Sequence, residues 1–359
     1  MPIPFLLIGA AAITSVTGIA KGGKAILNNN KAKELFADAE KKYNKSKDAL
    51  EEQRSITSQD LDTLGATKIL SWSDDIGGFV EYFKKFKNVD LQGNVNLNEK
   101  LKFQIDSIGN FKKMKVASLK ATEVVKAGVS TLGAGALAGI ASYGGAMMFA
   151  SASTGTAIAT LSGAAATNAT LAWFGGGSLA AGGLGMAGGT VVLGGIVVGP
   201  VLAVAGFIMA AKSEENLSKA KKTYSEAKLA AEKMDTMTDF MSKVSDIANN
   251  YNSFINEFSA RFKPVLNELK NIYASVSSEQ ERFLGNKIRK FFGLEIKVDY
   301  RKLNVTQQKN LQFSWLMAQV LHTVLAAPIM TQDGNLEPNV YETLNDAKET
   351  SKKLLGTGA

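Results

Sequence analysis

Apolar side chains recur three or four positions apart along most of the chain, with charged residues between them. The longest runs cover residues 32–54, 99–126 and 212–262. Positions with this spacing fall on one face of an α-helix, so each run predicts a long amphipathic helix with one apolar stripe. The pattern therefore predicts an all-α protein: an elongated bundle of long amphipathic, coiled-coil helices.

One stretch departs from this pattern. From Ala127 to Ala211 the chain contains no Asp, Glu, Lys or Arg, a run of 85 residues. A helix with one face in water normally carries charge on that face, so this stretch is buried in protein, buried in lipid, or moves between the two. Polarity divides it into helix-length pieces at about 123–150, 156–174 and 190–211, with the Gly-rich linker 175–189 before the last. We interpret residues 127–211 as a Gly/Ala-rich hydrophobic helical head.

The head is only marginally suited to permanent membrane spans. Each piece is close to spanning length, but only residues 190–211 are rich in Val, Ile and Leu. Glycines four residues apart lie on one helix face and let backbones approach closely, in lipid or in a bundle. The pattern favours a head that is hidden in the folded protein and exposed conditionally. The candidate residues for membrane insertion and helix packing are Gly135, Gly139, Trp173, Phe174, Gly185, Gly189, Gly195, Gly199 and Phe207.

The first 20 residues are also uncharged, and Lys21 and Lys24 follow them. A secretory signal carries its positive charge before the apolar run, so we expect no signal peptide here. The segment is long enough to span a bilayer, but Ala, Gly, Ser and Thr dilute it. Both a span and a packed helix stay open for these residues.

Shorter patterns complete the layout. Residues 58–87 are rich in aromatics; we expect Trp72 and the phenylalanines after it to form a core cluster, with Ser73 or Asp74 capping a helix. Residues 88–98 predict a loop or short strand, and residues 306–330 are typical of a buried helix.

The sequence pattern divides the chain into five predicted segments. They are a hydrophobic N-terminal helix (1–27) that ends at the interrupting residues Asn28–Asn30, an amphipathic part of the bundle (28–126), the head (127–211), long bundle helices (212–304) and C-terminal helices (305–359).

Composition excludes most catalytic chemistry. The chain has no cysteine and one histidine, His322, which lies on an apolar helix face typical of a core residue. Neighbouring carboxylates such as Asp74 and Asp75 diverge on a helix and are better explained as helix-start charges. The Gly-rich linker lacks the residues of a phosphate loop. We therefore expect no enzyme activity, no cofactor and no metal site, and the dispersed lysines do not predict nucleic-acid binding.

This layout resembles the α-helical pore-forming toxins of bacteria, in which a long helical bundle carries a hydrophobic head. The resemblance covers the three long amphipathic runs and the uncharged stretch between the last two. The segment ATLSGAAATNATLAWFGGGSLAAGGLGMAGG, residues 159–189, is similar to a glycine-rich segment of uncharacterised bacterial helical proteins. The resemblance implies a bacterial source and gives no catalytic activity. The head is much longer than the simple hairpin of such toxins.

These observations predict a membrane-active helical protein that binds, inserts into and permeabilises or remodels a bilayer as an oligomer, like a pore-forming toxin or effector. The net charge of +8 favours anionic lipids as partners, and a second copy or a related helical subunit is the expected protein partner. The expected location is the bacterial cytoplasm, with membrane association on activation, or release by a non-classical route. The alternative is a non-enzymatic helical scaffold with a Gly-rich packed core.

Overall fold

The computed structural model describes residues 22–89, 107–129, 134–143, 216–281, 297–331 and 335–356. Helix accounts for 89% of the residues that can be interpreted. The predicted all-α class is therefore confirmed, while the elongated, coiled-coil arrangement stays a prediction.

The described helices differ greatly in length. In chain order they are α1 (Gly22–Ser71), a π-helix (Trp72–Ile76), α2 (Gly77–Phe83), α3 (Ser107–Ala127), α4 (Ala134–Tyr143), α5 (Asn216–Glu281), a 3₁₀ turn (Tyr300–Lys302), α6 (Val305–Ala326) and α7 (Val340–Gly356). Strands β1 (Phe86–Lys87) and β2 (Val298–Asp299) form one parallel pair, with Phe86 opposite Val298. The loop or short strand predicted for residues 88–98 falls almost entirely outside the described residues, so it stays a prediction.

Contacts along the chain divide it into two compact units. The first comprises residues 1–48 and 200–234, and the second residues 49–199 and 235–359. This division follows spatial contacts, whereas the five predicted segments follow the sequence pattern. Those segments therefore stay predictions.

The first unit buries small side chains. The buried positions in its described part, mostly alanines, are Ala32, Ala39, Tyr43, Ser46, Ala220, Thr223, Ala227, Ala230, Ala231 and Met234. Alanine stripes let helices approach closely and lose no side-chain entropy on folding.

The expected interruption at Asn28–Asn30 is wrong, because α1 runs through these residues without a break. Asparagine costs a helix only about 0.7 kcal/mol relative to alanine, so three of them do not end a 50-residue helix. Helix α5 extends beyond the amphipathic run that ends at residue 262 and continues through Pro264 to Glu281.

Aromatic side chains fill the core of the second unit, as the sequence predicts. Trp315 of α6 stacks on Phe83 of α2 with ring centroids 5.3 Å apart, and Phe79 and Phe111 lie 6.0 Å and 6.2 Å from the same indole. Trp72 is also fully buried, with 1% of its surface exposed. Large aromatic rings contribute more buried area than any other side chains, so this cluster holds α2, α3 and α6 together.

A π-helix joins α1 to α2, so the expected helix start at Ser73 or Asp74 is wrong. Trp72–Ile76 continue the helix with one widened turn, and neither Ser73 nor Asp74 acts as an N-cap. The widened turn directs Asp75 inward, where its carboxylate accepts hydrogen bonds from Ser71 Oγ (2.7 Å) and Ser259 Oγ (2.6 Å). Such an insertion is a usual feature of π-bulges.

Helix α6 is the buried helix that residues 306–330 predict. It begins at the N-cap Asn304, whose side chain accepts from Gln307 N while the Gln307 side chain accepts from Asn304 N. This capping box satisfies donors that the first helical turn leaves open. Most residues from Leu311 to Leu325 are buried.

Candidate functional site

Helix α4, with sequence AGALAGIASY, is the first helix of the uncharged head. Its residues Gly139–Ser142 are buried, and Ile140 and Ala141 pack in the core of the second unit. The contacts that hold α4 come from α1 and from the chain that follows α6. We call this set of contacts the α4 docking site; its residues are Asp62, Gly65, Lys68, Ile329 and Met330.

Gly65 of α1 makes the closest approach to α4. A Cβ atom built at this position would lie 2.1 Å from the carbonyl oxygen of Leu137 and 2.7 Å from its carbonyl carbon. The obstacle is backbone, which cannot turn aside as a flexible side chain can. Only glycine fits here, so the glycine that costs helix stability in α1 is required for helix packing.

Lys68 lies three residues further along α1 and reaches the C-terminal end of α4. Its Nζ donates to the carbonyl oxygens of Ala141 (3.1 Å) and Ala327 (2.9 Å), and its side chain is fully buried. Both acceptors lie at helix ends, where carbonyls lack intrahelical donors and carry partial negative charge. Lys68 therefore connects the end of α4 to the end of α6.

An aromatic ring also lies near the Lys68 ammonium group. The face of the Tyr251 ring lies 5.7 Å from Nζ, and the Tyr251 hydroxyl donates to Val340 O (2.9 Å). Burial without an acidic partner lowers the pKa of Lys68 to about 7, because desolvation disfavours the ammonium form. Near neutral pH the Lys68 amine is thus close to half protonated.

The last carbonyl groups of α4 are satisfied by the backbone after α6. Ser142 O accepts from Ile329 N (2.6 Å) and from Met330 N (2.9 Å). Together with the Lys68 contact, these bonds satisfy two of the C-terminal carbonyls that an α-helix leaves open. Polar contacts to backbone, in addition to apolar burial, therefore fix the end of α4.

Asp62 flanks the other side of Gly65. Burial raises the pKa of its carboxyl to about 6, and the nearby backbone N–H of Ala138 offsets part of that rise. Asp62 Oδ1 is buried and has no hydrogen-bond partner among the residues that the structure describes. A buried, unpaired carboxylate oxygen costs free energy, so Asp62 weakens the docking site when it is ionised.

The predicted site residues are only partly within the described chain. Gly135 and Gly139 both lie in α4, one helical turn apart, and Gly139 is buried. Their role in close packing stays a prediction. The other predicted positions lie outside the described residues: Trp173, Phe174, Gly185, Gly189, Gly195, Gly199 and Phe207.

The residues that dock α4 were not predicted from the sequence. Gly65 stands alone inside the apolar helical pattern TLGATKIL, and an isolated glycine there indicates a packing requirement. Lys68 follows at a position where the pattern predicts burial. Only the location of α4 shows what these two residues contact.

His322 is the histidine that the sequence places on an apolar helix face. The His322 ring packs edge-on against Trp72 at 5.5 Å, and burial together with the charge of Lys113 lowers its pKa to about 4. This neutral, packed ring fits the predicted core histidine. Within the described residues, no group of three or more His, Cys, Asp or Glu side chains could hold a metal ion.

Within the described ranges, none of the helices combines the length and the apolarity that a membrane span needs. Comparison of the chain with protein-family models, with curated proteins and with solved structures found no match. The resemblance to pore-forming toxins therefore stays a prediction.

Proposed function

We propose that this chain is a membrane-active helical protein that binds, inserts into and permeabilises or remodels a lipid bilayer as an oligomer. In this proposal the head, residues 127–211, is the inserting part. The amphipathic helices supply assembly, and the lysines supply attraction to anionic lipid. In this proposal the protein first folds with α4, at the start of the head, in its docked position. Insertion of the head is a later, conditional step.

The observation that carries the proposal is the combination of an 85-residue uncharged stretch with specific polar contacts at the end of its first described helix. Helix α4 has no charged side chain, so its transfer into lipid would carry no charge with it. Its links to α1 and to the chain after α6 are a glycine contact and hydrogen bonds from Lys68, Ile329 and Met330. Ile140 and Ala141 of α4 also pack in the core of the second unit, so release of α4 in this proposal breaks these contacts and exposes that apolar area.

Dye release from liposomes tests the proposal. The purified full-length chain is added to vesicles made of equal parts phosphatidylglycerol and phosphatidylcholine, and to vesicles of phosphatidylcholine alone. We expect release and flotation with the anionic vesicles and much less with the neutral ones. If neither release nor flotation occurred with any vesicle, also after chemical cross-linking into oligomers, the proposal would be abandoned.

The second candidate is a non-enzymatic scaffold, and the Gly65 contact favours it. The approach of the Leu137 backbone to Gly65 supports this candidate, because a Gly-rich interaction core would use the same kind of close contact. A scaffold would be stable without detergent and would show no lipid preference. The flotation experiment therefore separates the two candidates.

A further inference from the structure

Helix α3 differs from the other long helices in its charge. It carries five lysines and one glutamate, a net charge of +4 over 21 residues. Helix α1 carries nine basic and eight acidic residues, and α5 carries nine of each. The net charge of α3 alone is therefore half of the +8 net charge of the chain.

Five of the six charged side chains of α3 lie on its outer side. Its inner side is buried at Met114, Ala117, Ala121 and Val124, which pack in the core of the second unit. The exposed positions are Lys112, Lys113, Lys115, Val116, Leu119, Glu123, Lys126 and Ala127. Several of them follow one another at helical spacing and form one continuous outer face.

Two large apolar side chains lie among these lysines. Val116 is 44% exposed and Leu119 is 57% exposed, three residues apart on the same face. A cationic helix face with aliphatic side chains at its centre is typical of helices that lie in the plane of a membrane interface. The aliphatic groups enter the headgroup region while the lysines contact lipid phosphates.

The same face suits nucleic acid poorly. It has no arginine for bidentate contacts, and the only aromatic residue of α3, Phe111, packs against Phe83 and Trp315 in the core. Stacking on exposed aromatics and bidentate arginine contacts are the usual means of nucleic-acid recognition. Charge complementarity together with the aliphatic pair favours a lipid surface.

Helix α3 also leads directly into the head. It ends at Ala127, and the chain turns at Gly128, whose φ of 98° is readily adopted only by glycine. Lys126 is the last charged residue before the 85 uncharged ones. A bilayer bound to the outer face of α3 would therefore lie next to the start of the head.

We propose that the outer face of α3, with Lys112, Lys115 and Lys126 around Val116 and Leu119, is the surface by which the protein docks on anionic bilayers. This inference rests on the proposed membrane function. Docking through α3 precedes insertion and requires neither release of α4 nor oligomerisation.

Flotation with vesicles of equal parts phosphatidylglycerol and phosphatidylcholine tests the docking face. The test variant of the full-length chain is K112E/K115E/K126E. Each lysine close to an anionic surface strengthens binding about fivefold, so loss of all three weakens partitioning on the order of 100-fold. The matched control K243E/K263E/K270E changes three exposed lysines of α5 and has the same net charge. We expect it to bind within a few-fold of the wild-type chain.

A second pair of variants tests the aliphatic contribution. Leu119→Ser should weaken flotation several-fold, because it removes an apolar side chain from the centre of the face. Leu229→Ser is the control, since Leu229 is 54% exposed on α5. Circular dichroism and thermal unfolding show that each variant is folded. Leu119 and Leu229 variants that float equally well would contradict an aliphatic contact with lipid.

The outcomes separate the two proposals. If the wild-type chain and K112E/K115E/K126E float equally well, the docking face is wrong while the proposed function stands. If both triple variants lose flotation alike, only net charge matters and the docking face is again wrong. If the wild-type chain floats with no vesicle but binds an oligonucleotide through these lysines, both proposals are overturned.

Discussion

Phe83 and Trp315 stack in the core with centroids 5.3 Å apart, whereas Lys68 holds α4 through carbonyl oxygens at 3.1 Å and 2.9 Å. Both regions are buried and both belong to the second unit. The core depends on large apolar area, which no change of pH alters. The α4 docking site depends on backbone proximity and on two groups, Lys68 and Asp62, with pKa values of about 7 and about 6. The aromatic core is therefore insensitive to pH, whereas the α4 docking site responds to protonation of Lys68 and Asp62.

The largest effect is expected in the core. Trp315→Ala should destabilise the second unit by about 3–5 kcal/mol, because it leaves a large cavity beside Phe79, Phe83 and Phe111. Trp315→Phe is the matched control: it keeps a ring and removes an indole N–H that has no partner among the described residues. It should cost about 1 kcal/mol. Urea unfolding measures both, and equal losses for the two variants would show that the indole area is not what matters.

The next largest effect is expected at Gly65, where α1 approaches α4 most closely. Gly65→Ala places a methyl group against the Leu137 backbone and should cost about 3 kcal/mol or displace α4. Gly78→Ala in α2 is the control, since its added Cβ would lie 3.7 Å from Leu266 Cδ1, an ordinary contact. That change should be neutral or stabilise by up to about 1 kcal/mol.

If docking of α4 hides the head, Gly65→Ala should also increase dye release from anionic vesicles, whereas Gly78→Ala should not. Thermal unfolding and dye release are measured on the same preparations. Unaltered stability of the Gly65 variant would mean that α4 does not pack against α1 as described.

Titration of Lys68 gives a smaller effect with a defined sign. Its pKa is lowered from 10.5 in the unfolded chain to about 7 in the folded protein, so the unfolded state binds more protons between these values. Stability from this group is fully present above pH 10.5 and is lost as pH falls through about 7. The wild-type free energy of unfolding should thus rise by about 2 kcal/mol between pH 7 and about pH 9.

Lys68→Met removes the titrating group and should remove most of this rise. Urea unfolding of both chains at the two pH values makes the comparison. A variant that keeps the full pH dependence would show that another group is responsible.

The smallest effect is expected at Asp62, whose titration changes stability with pH in the direction opposite to that of Lys68. Its pKa is raised from 3.8 to about 6, so the stability it contributes is present below pH 3.8 and is lost as pH rises through about 6. Asp62→Asn should remove this dependence and stabilise the chain at neutral pH by less than about 1 kcal/mol. Unfolding at pH 7 compared with pH 5 measures it, and destabilisation at pH 7 would mean that the carboxylate makes a favourable contact.

The spacing of apolar residues predicted the features that nearby sequence determines, such as helices and their buried faces. It could not predict contacts between residues that lie far apart along the chain. The long helices and the burial of Trp72 and of α6 follow from apolar spacing alone. The π-helix at Trp72–Ile76 was missed because one inserted residue leaves the apolar pattern almost unchanged. Gly65 and Lys68 acquire their roles from Leu137, Ala141 and Ala327, which lie 72 or more positions away along the chain.

Hydrogen exchange of α4 with and without vesicles tests the central claim most directly. The backbone amides of residues 134–143 are followed by mass spectrometry after adding vesicles of equal parts phosphatidylglycerol and phosphatidylcholine, with residues 311–325 of α6 as the internal reference. The account predicts that the exchange pattern of α4 changes with anionic vesicles and not with neutral ones, while α6 keeps its protection. Unchanged exchange in α4 while the vesicles release their dye would contradict it.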